Sequence, residues 1–243
     1  MYIDAHCHLD LYPDPYKIIS DIEKNRIITI AVTNLPSHFE LLVNNTKQCK
    51  FIRPALGLHP LVSNQVTELE KQKFKKYIAK TSYIGEIGLD FSTGNKPTFL
   101  LQIENFKYVL NCLRGNNKFV TIHSRKAEEM VIDLLDEYNI PKAVFHWYSG
   151  QISSLDKILL KGHYFSINQA MTLNTKGVKI IERIPKDRII TETDGPFVQI
   201  GSNSINPTHI SLLIKFLGKL WTMPETEVQL QVFNNLKNIL GIV

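Results

Sequence analysis

The chain alternates short apolar runs with longer stretches whose apolar positions recur at helical spacing. Runs at 2–7, 27–33, 51–56, 83–87, 119–123, 142–146, 164–167 and 189–192 are rich in Ile, Val, Phe and Tyr, and they predict eight strands. Helical patterns lie at 39–48, 97–113, 127–138 and 178–184, with two more after the last strand at 207–220 and 225–240. Each strand is short and apolar on both faces, as expected of a parallel sheet covered by helices. No linker, repeat or low-complexity tract divides the alternation. It predicts one α/β domain over 1–243, a (β/α)8 barrel of the TIM type, with an open doubly wound sheet as the competing arrangement.

Composition refines this picture only slightly. A chain of 243 residues with 44% hydrophobic content can bury a stable core without covalent staples. Its cysteines, Cys7, Cys49 and Cys112, are widely spaced and odd in number, which suits a reducing compartment. No signal peptide and no apolar run of membrane-spanning length stand out, so the expectation is a cytoplasmic protein with no membrane partner. The net charge of +5 is compatible with a polyanionic partner but does not demand one. The densest basic stretch, KQKFKKYIAK at 71–80, interleaves with Phe74, Tyr77 and Ile78 at helical spacing and reads as a solvated helix face over a packed stripe.

The candidate chemistry is more specific. A barrel gathers its reacting groups at the carboxyl ends of its strands. In MYIDAHCHLD, His6 and His8 leave the first strand on the same side, because successive side chains of a strand alternate between faces. Cys7 then points towards the helix layer. GLHP brings His59 after the third strand, and GEIGLD brings Glu86 to the end of the fourth. IHSR and FHW bring His123 and His146 to the ends of the fifth and sixth, and ETDGP brings Asp194 just past the eighth. Imidazoles and carboxylates converging on one mouth suit divalent cations, and a carboxylate can bridge two of them through its two oxygens. Hydrolysis is the natural reaction class. Taken singly, His123 or His146 would read as a core histidine; six partners at matching strand ends reverse that reading.

HCHLD, GLHP, EIGLD, IHSRKA, HWYSG and ETDGP, in that order, resemble the TatD family of metal-dependent deoxyribonucleases in the amidohydrolase superfamily. The resemblance runs from Asp4 to NLKNILG near the end. It implies one divalent ion held by His6, His8, Glu86 and Asp194 and a second held by Glu86, His123 and His146. Mg, Mn or Zn would fill the sites, with Glu86 as the bridge and Asp194 doubling as general base. Related enzymes that bridge two metals with a modified lysine differ here, since the fourth strand offers no lysine. The implied substrate is DNA, single-stranded, degraded as an exonuclease, with His59 near the phosphate and Arg125 and Trp147 as substrate contacts. The family's basic segment and Asn-Glu-Pro motif after ETDGP are replaced by FVQIGSNSINPTHI, which keeps Asn206 and Pro207 only, and the position after HSR is Lys126. These departures leave open an amide or ester hydrolase, such as an aminoacyl-tRNA deacylase. HCHLDLYPDP also resembles the TatD-like component of Qat-type antiphage operons, which implies protein partners from a defence operon and leaves open a slow metal-binding subunit of such a complex.

Overall fold

The computed structural model describes residues 1–242. Eight strands run parallel: β1 (Ile3–Cys7), β2 (Ile28–Ala31), β3 (Ile52–Pro54), β4 (Tyr83–Gly88), β5 (Phe119–His123), β6 (Val144–His146), β7 (Tyr164–Ile167) and β8 (Ile189–Thr191). They pair in chain order as β1-β2-β3 and β4-β5-β6-β7-β8, and a parallel bridge from Leu56 to Ile84 joins the two ladders. The remaining seam closes beyond the strand ends, where Asp194 N donates to His6 O at 2.9 Å and His8 N donates to Gly195 O at 2.9 Å. The barrel therefore closes through the residues that the sequence marks for chemistry.

The helices are α1 (Pro15–Asn25), α2 (Pro36–Asn45), α3 (Glu68–Tyr77), α4 (Phe99–Leu113), α5 (Glu128–Glu137), α6 (Ile152–Leu160), α7 (Gln169–Thr172), α8 (Thr175–Arg183), α9 (Ile210–Trp221) and α10 (Glu225–Leu240). Several begin on local chemistry that the sequence carries. Asp14 accepts from Lys17 N ahead of Pro15, and Asn174 accepts from Gly177 N at the start of α8. Asn206 and Pro207 open the turn into α9 in the same way, Asn206 accepting from Thr208 N. The surviving half of the Asn-Glu-Pro motif is thus a helix cap.

The core lies between the strands and the helices. Phe119, Phe145 and Phe165 from three neighbouring strands are fully buried in one cluster with Leu155, Ile158, Val131 and Leu135 from the covering helices. A smaller cluster under α1 joins Cys7, Leu9, Ile18, Ile22 and Ile27, and Cys7 points there, away from His6 and His8. Burying a side chain such as Ile22 contributes roughly 1.5–3 kcal/mol.

Differences from the sequence expectation are local. The third strand is short: past Pro54 its ladder to β2 makes one more bond, Ala55 N to Ala31 O, before Leu56 N turns to Tyr83 O on β4. At Gly57 the chain passes so close to β2 that a Cβ would lie 1.5 Å from Thr33 O, a contact only glycine permits. Helices α1 and α6, and the two-stranded hairpin of β9 (Gln199–Ile200) and β10 (Asn203–Ser204), add to the expected elements. The basic stretch at 71–80 is the end of α3 and the turn after it, and Lys71 and Lys73 pair there with Glu68, Glu104 and Glu40 on its surface.

Candidate metal centre and active site

Glu86 is the hub. Its Oε2 lies 3.3 Å from His6 Nε2, 3.1 Å from His8 Nε2 and 3.2 Å from His59 Nε2. Its Oε1 lies 2.7 Å from His123 Nδ1 and 3.2 Å from His146 Nε2. One carboxylate thus faces five imidazoles, and its two oxygens divide them into two sets. Asp194 completes the first set, with Oδ1 3.8 Å from His6 Nε2 and 3.7 Å from His8 Nε2. The ladders slip locally at two of the strands that carry this chemistry, between Asp4 and Cys7 in β1 and between Ile84 and Ile87 in β4. Such slips re-aim side chains. At the second slip, Glu86 N donates to Thr33 O across the barrel.

The hydrogen bonds behind the imidazoles set which nitrogen faces inward. His6 Nδ1 lies 2.8 Å from Thr121 Oγ1, and His146 Nδ1 lies 3.3 Å from Glu192 Oε1. With the proton on Nδ1 in both, each turns a bare Nε2 towards Glu86. His123 is reversed: Nε2 meets Asp90 Oδ2 at 2.8 Å, and Nδ1 meets Glu86. Asp90 is fixed in turn, since its Oδ1 accepts from Ser92 N and Oγ and its N–H donates to Gln102. His59 differs in kind. Its Nδ1 accepts from Leu61 N at 3.1 Å, so a neutral ring carries its proton on Nε2 and is a donor there. Although His59, Glu86 and His123 lie close enough to surround an ion, this tautomer suits a hydrogen-bond donor to substrate.

Electrostatics follow from this crowding. Burial pushes the Glu86 carboxyl up, but His59, His146 and His6 outweigh it and hold the group well below the usual carboxylate range. Burial, helped by His146, lowers His6 to about 3 against the pull of Glu86. Burial raises Asp194 to about 7 against the pull of His146 and His8, and its Oδ1 is buried with no hydrogen-bond partner. A buried carboxylate oxygen left without a donor, beside bare imidazole nitrogens, is what a cation site presents when the cation is left out of account. The donor set of imidazole nitrogens and carboxylate oxygens fits zinc or manganese more readily than magnesium.

These groups open into a cavity of about 540 Å³, lined also by Asn34, Leu61, Val62, Asp90, Arg125, Trp147 and Phe197. Every residue expected at the site is therefore found there except His6, which sits beneath the cavity and is fully buried. Arg125 and Trp147 line the cavity away from the hub, and Trp147 N donates to Glu192 Oε1 at 3.0 Å. Sequence reasoning passed over Asp4 and Glu192. Asp4 accepts from His6 N, Thr193 N and Thr193 Oγ1, tying β1 to the segment that carries Asp194. Glu192 accepts from Trp147 N, Asn168 Nδ2 and Ser166 Oγ as well as facing His146. Its place in ETDGP, one step from β8 and two before Asp194, was the available signal.

A parallel barrel with a histidine and carboxylate cluster at the carboxyl ends of its strands defines a metal-dependent hydrolase. The model of the family described as TatD related DNase matches residues 3–241, and the chain belongs to that family. The human protein named deoxyribonuclease TATDN3 is 24% identical, over 98% of this chain and 96% of its own length. A Haemophilus influenzae protein described as an uncharacterized metal-dependent hydrolase is 29% identical, over 97% of each. Among solved structures, the TatD homologue YjjV of Escherichia coli superposes with a TM-score of 0.87 at 21% identity, over 98% of this chain and 97% of that one. That likeness shows the barrel. Among the described residues, no helix is long and apolar enough to cross a membrane.

Proposed function

We propose that this protein hydrolyses phosphodiester bonds in DNA, preferring single strands and working from an end, at a site that holds two divalent cations bridged by Glu86. The observation that carries this reading is the division of five imidazoles between the two oxygens of Glu86, with Asp194 joining the His6 and His8 side. His6, His8, Glu86 and Asp194 would hold one cation, and Glu86, His123 and His146 the other. When bound, the cations supply Lewis acidity to a phosphate oxygen and lower the pKa of a water. The residues do the rest. Asp194, whose Oδ1 faces the His6 and His8 side, accepts the proton of the attacking water. His59 donates from Nε2 to a phosphate oxygen, and Arg125 adds a positive charge at the wall.

A preference for single strands is supported by the cavity, whose volume of about 540 Å³ suits a single nucleotide. Action from a strand end is proposed from the family resemblance alone. The test is digestion of end-labelled single-stranded DNA with and without excess EDTA after dialysis. Hydrolysis that EDTA abolishes and Mn²⁺ or Zn²⁺ restores supports the proposal; full activity in EDTA sinks it. Rapid nicking of a covalently closed circle reverses the preference for ends.

The uncharged hairpin after ETDGP motivates a second reading, in which the same site cleaves an amide or ester such as an aminoacyl group on tRNA. Release of the amino acid from acylated tRNA, with labelled DNA left intact, would decide for it. A place in antiphage defence, acting in the cytoplasm with partner proteins, rests on the resemblance of HCHLDLYPDP alone; co-purification of a stable complex is its test.

A further inference from the structure

The reaction proposed above assigns nothing to the largest exposed aromatic group at the cavity. Phe197 is 56% exposed, yet its ring stands edge-on to His8, with centroids 5.1 Å apart and planes at 83°. It is not a loose surface side chain. Phe197 N donates to Asp194 O at 2.9 Å, and the next residue, Val198, is buried. Ile205 N donates to Val198 O, and Ile205 O accepts from Tyr12 Oη at 2.6 Å, so the loop that carries the ring is pinned to the chain following β1. One edge is fixed beside the metal-binding cluster and the rest faces solvent.

The charge around the cavity gives a second, independent observation. Among the described residues, Arg125 is the only Lys or Arg lining it, while Glu86, Asp90, Glu128 and Asp194 all do. Beyond the phosphate held at the Glu86 cluster, the wall offers a polyanion's backbone only Arg125. Affinity has to come from the bases, whose flat faces stack on aromatic rings whatever their identity.

We propose that Phe197 is the stacking platform for the base of the nucleotide whose phosphate lies at the Glu86 cluster, and that base contact dominates substrate binding. This rests on the reading of the site as a DNA hydrolase and specifies how that site selects unpaired strands: a base held in a duplex cannot present its face to Phe197. Contacts made equally in the bound and transition states change KM and leave kcat alone.

The test compares wild type, Phe197→Ala and Phe197→Tyr, each loaded with Mn²⁺. The substrates are a short single-stranded oligonucleotide containing 2-aminopurine and methyl p-nitrophenyl phosphate, a phosphodiester with no base. Phe197→Ala is expected to raise KM for the oligonucleotide roughly 5- to 150-fold, the range that losing one base–aromatic stack implies. Phe197→Tyr should restore it, kcat and metal per chain should hold, and the base-free ester should be cleaved at the wild-type rate. Log KM of wild type should rise with log salt at a slope of about 0.7 to 1.4, as for one or two neutralised phosphates. Wild type that cleaves the oligonucleotide while Phe197→Ala keeps KM within about twofold overturns the inference and leaves the hydrolase reading standing. So does a variant that loses metal, or that slows equally on both substrates, because Phe197 then serves only to pack against His8. Wild type that cleaves no DNA overturns the hydrolase reading itself.

Discussion

Replacing Glu86 by Gln exchanges one carboxylate oxygen for an amide NH2, and the structure fixes what that group meets. If the nitrogen takes the place of Oε2, it faces Nε2 of His6, His8 and His59 at 3.1–3.3 Å. If it takes the place of Oε1, it faces His123 and His146 at 2.7 and 3.2 Å. Either way, a donor would stand among the imidazole nitrogens proposed to hold one cation, and that cation would lose the anionic oxygen of Glu86. Disturbing a group that merely supports a ligand costs 10- to 100-fold in metal affinity, so removing the ligand itself should cost at least about 100-fold, or about 2.7 kcal/mol. Asp194→Asn is the control. Its carbonyl oxygen can still occupy the position of Oδ1 but accepts no proton, so metal content should hold while the rate falls on the order of a thousandfold. Metal per chain by elemental analysis, after gel filtration in metal-free buffer, and hydrolysis of labelled single-stranded DNA read the two effects separately. Glu86→Gln should lose at least one ion per chain. If it keeps two ions and a near-normal rate, Glu86 is not the bridge and the two-cation model fails at its centre.

The Glu192 carboxylate faces four groups, and Glu192→Gln offers them a donor on one side, so it should lower metal affinity 10- to 100-fold by freeing the ring of His146; competition with a chelator measures this. His59→Ala should leave metal content intact and reduce kcat/KM about 100-fold or more, as loss of one donor to a developing phosphate charge does; equal metal loss would make His59 a ligand after all. At the other end of the barrel, burial lowers His163 from its ordinary value to about 4. A depressed folded value means that the unfolded chain binds the proton first. Its contribution, on the order of 3 kcal/mol, is therefore complete above pH 6.5 and is lost as pH falls towards 4. Urea midpoints across that window should show the loss, and an NMR titration placing His163 near 6.5 would refute it.

The strands were legible because each is an apolar run with little else to be, and β5 and β7 fall on the expected residues. What escaped were features decided by contacts remote in sequence. Nothing in the local composition of 51–56 says that Gly57 must lie against Thr33, or that the ladder hands over there to the bridge from Leu56 to Ile84. By contrast, α1 carried a readable start in Asp14-Pro15, and the hairpin a turn residue in Gly201 at positive φ. Those were local signals of the familiar kind, overshadowed by the larger alternation.

The site divides along the same line. His6, His8, Glu86, His123, His146 and Asp194 could be found in sequence because a barrel sends every strand end to one mouth, so position along the chain translates directly into position in space. The groups that orient them follow no such rule. Thr121 supports His6 from β5 and Glu192 supports His146 from beyond β8, while Asp90 supports His123 on the neighbouring β5 from just beyond β4, where its place in GEIGLD did mark it in sequence as a support for a ligand ring. Their residue types are ordinary, and their spacing is set by barrel circumference and side-chain reach. The first set of residues fixes which chemistry is available; the second fixes which nitrogen of each ring takes part. On the proposed reading, that is why His59, the same residue type in an equally suggestive motif, would act as a donor and not as a ligand: a single backbone N–H from Leu61 occupies its Nδ1.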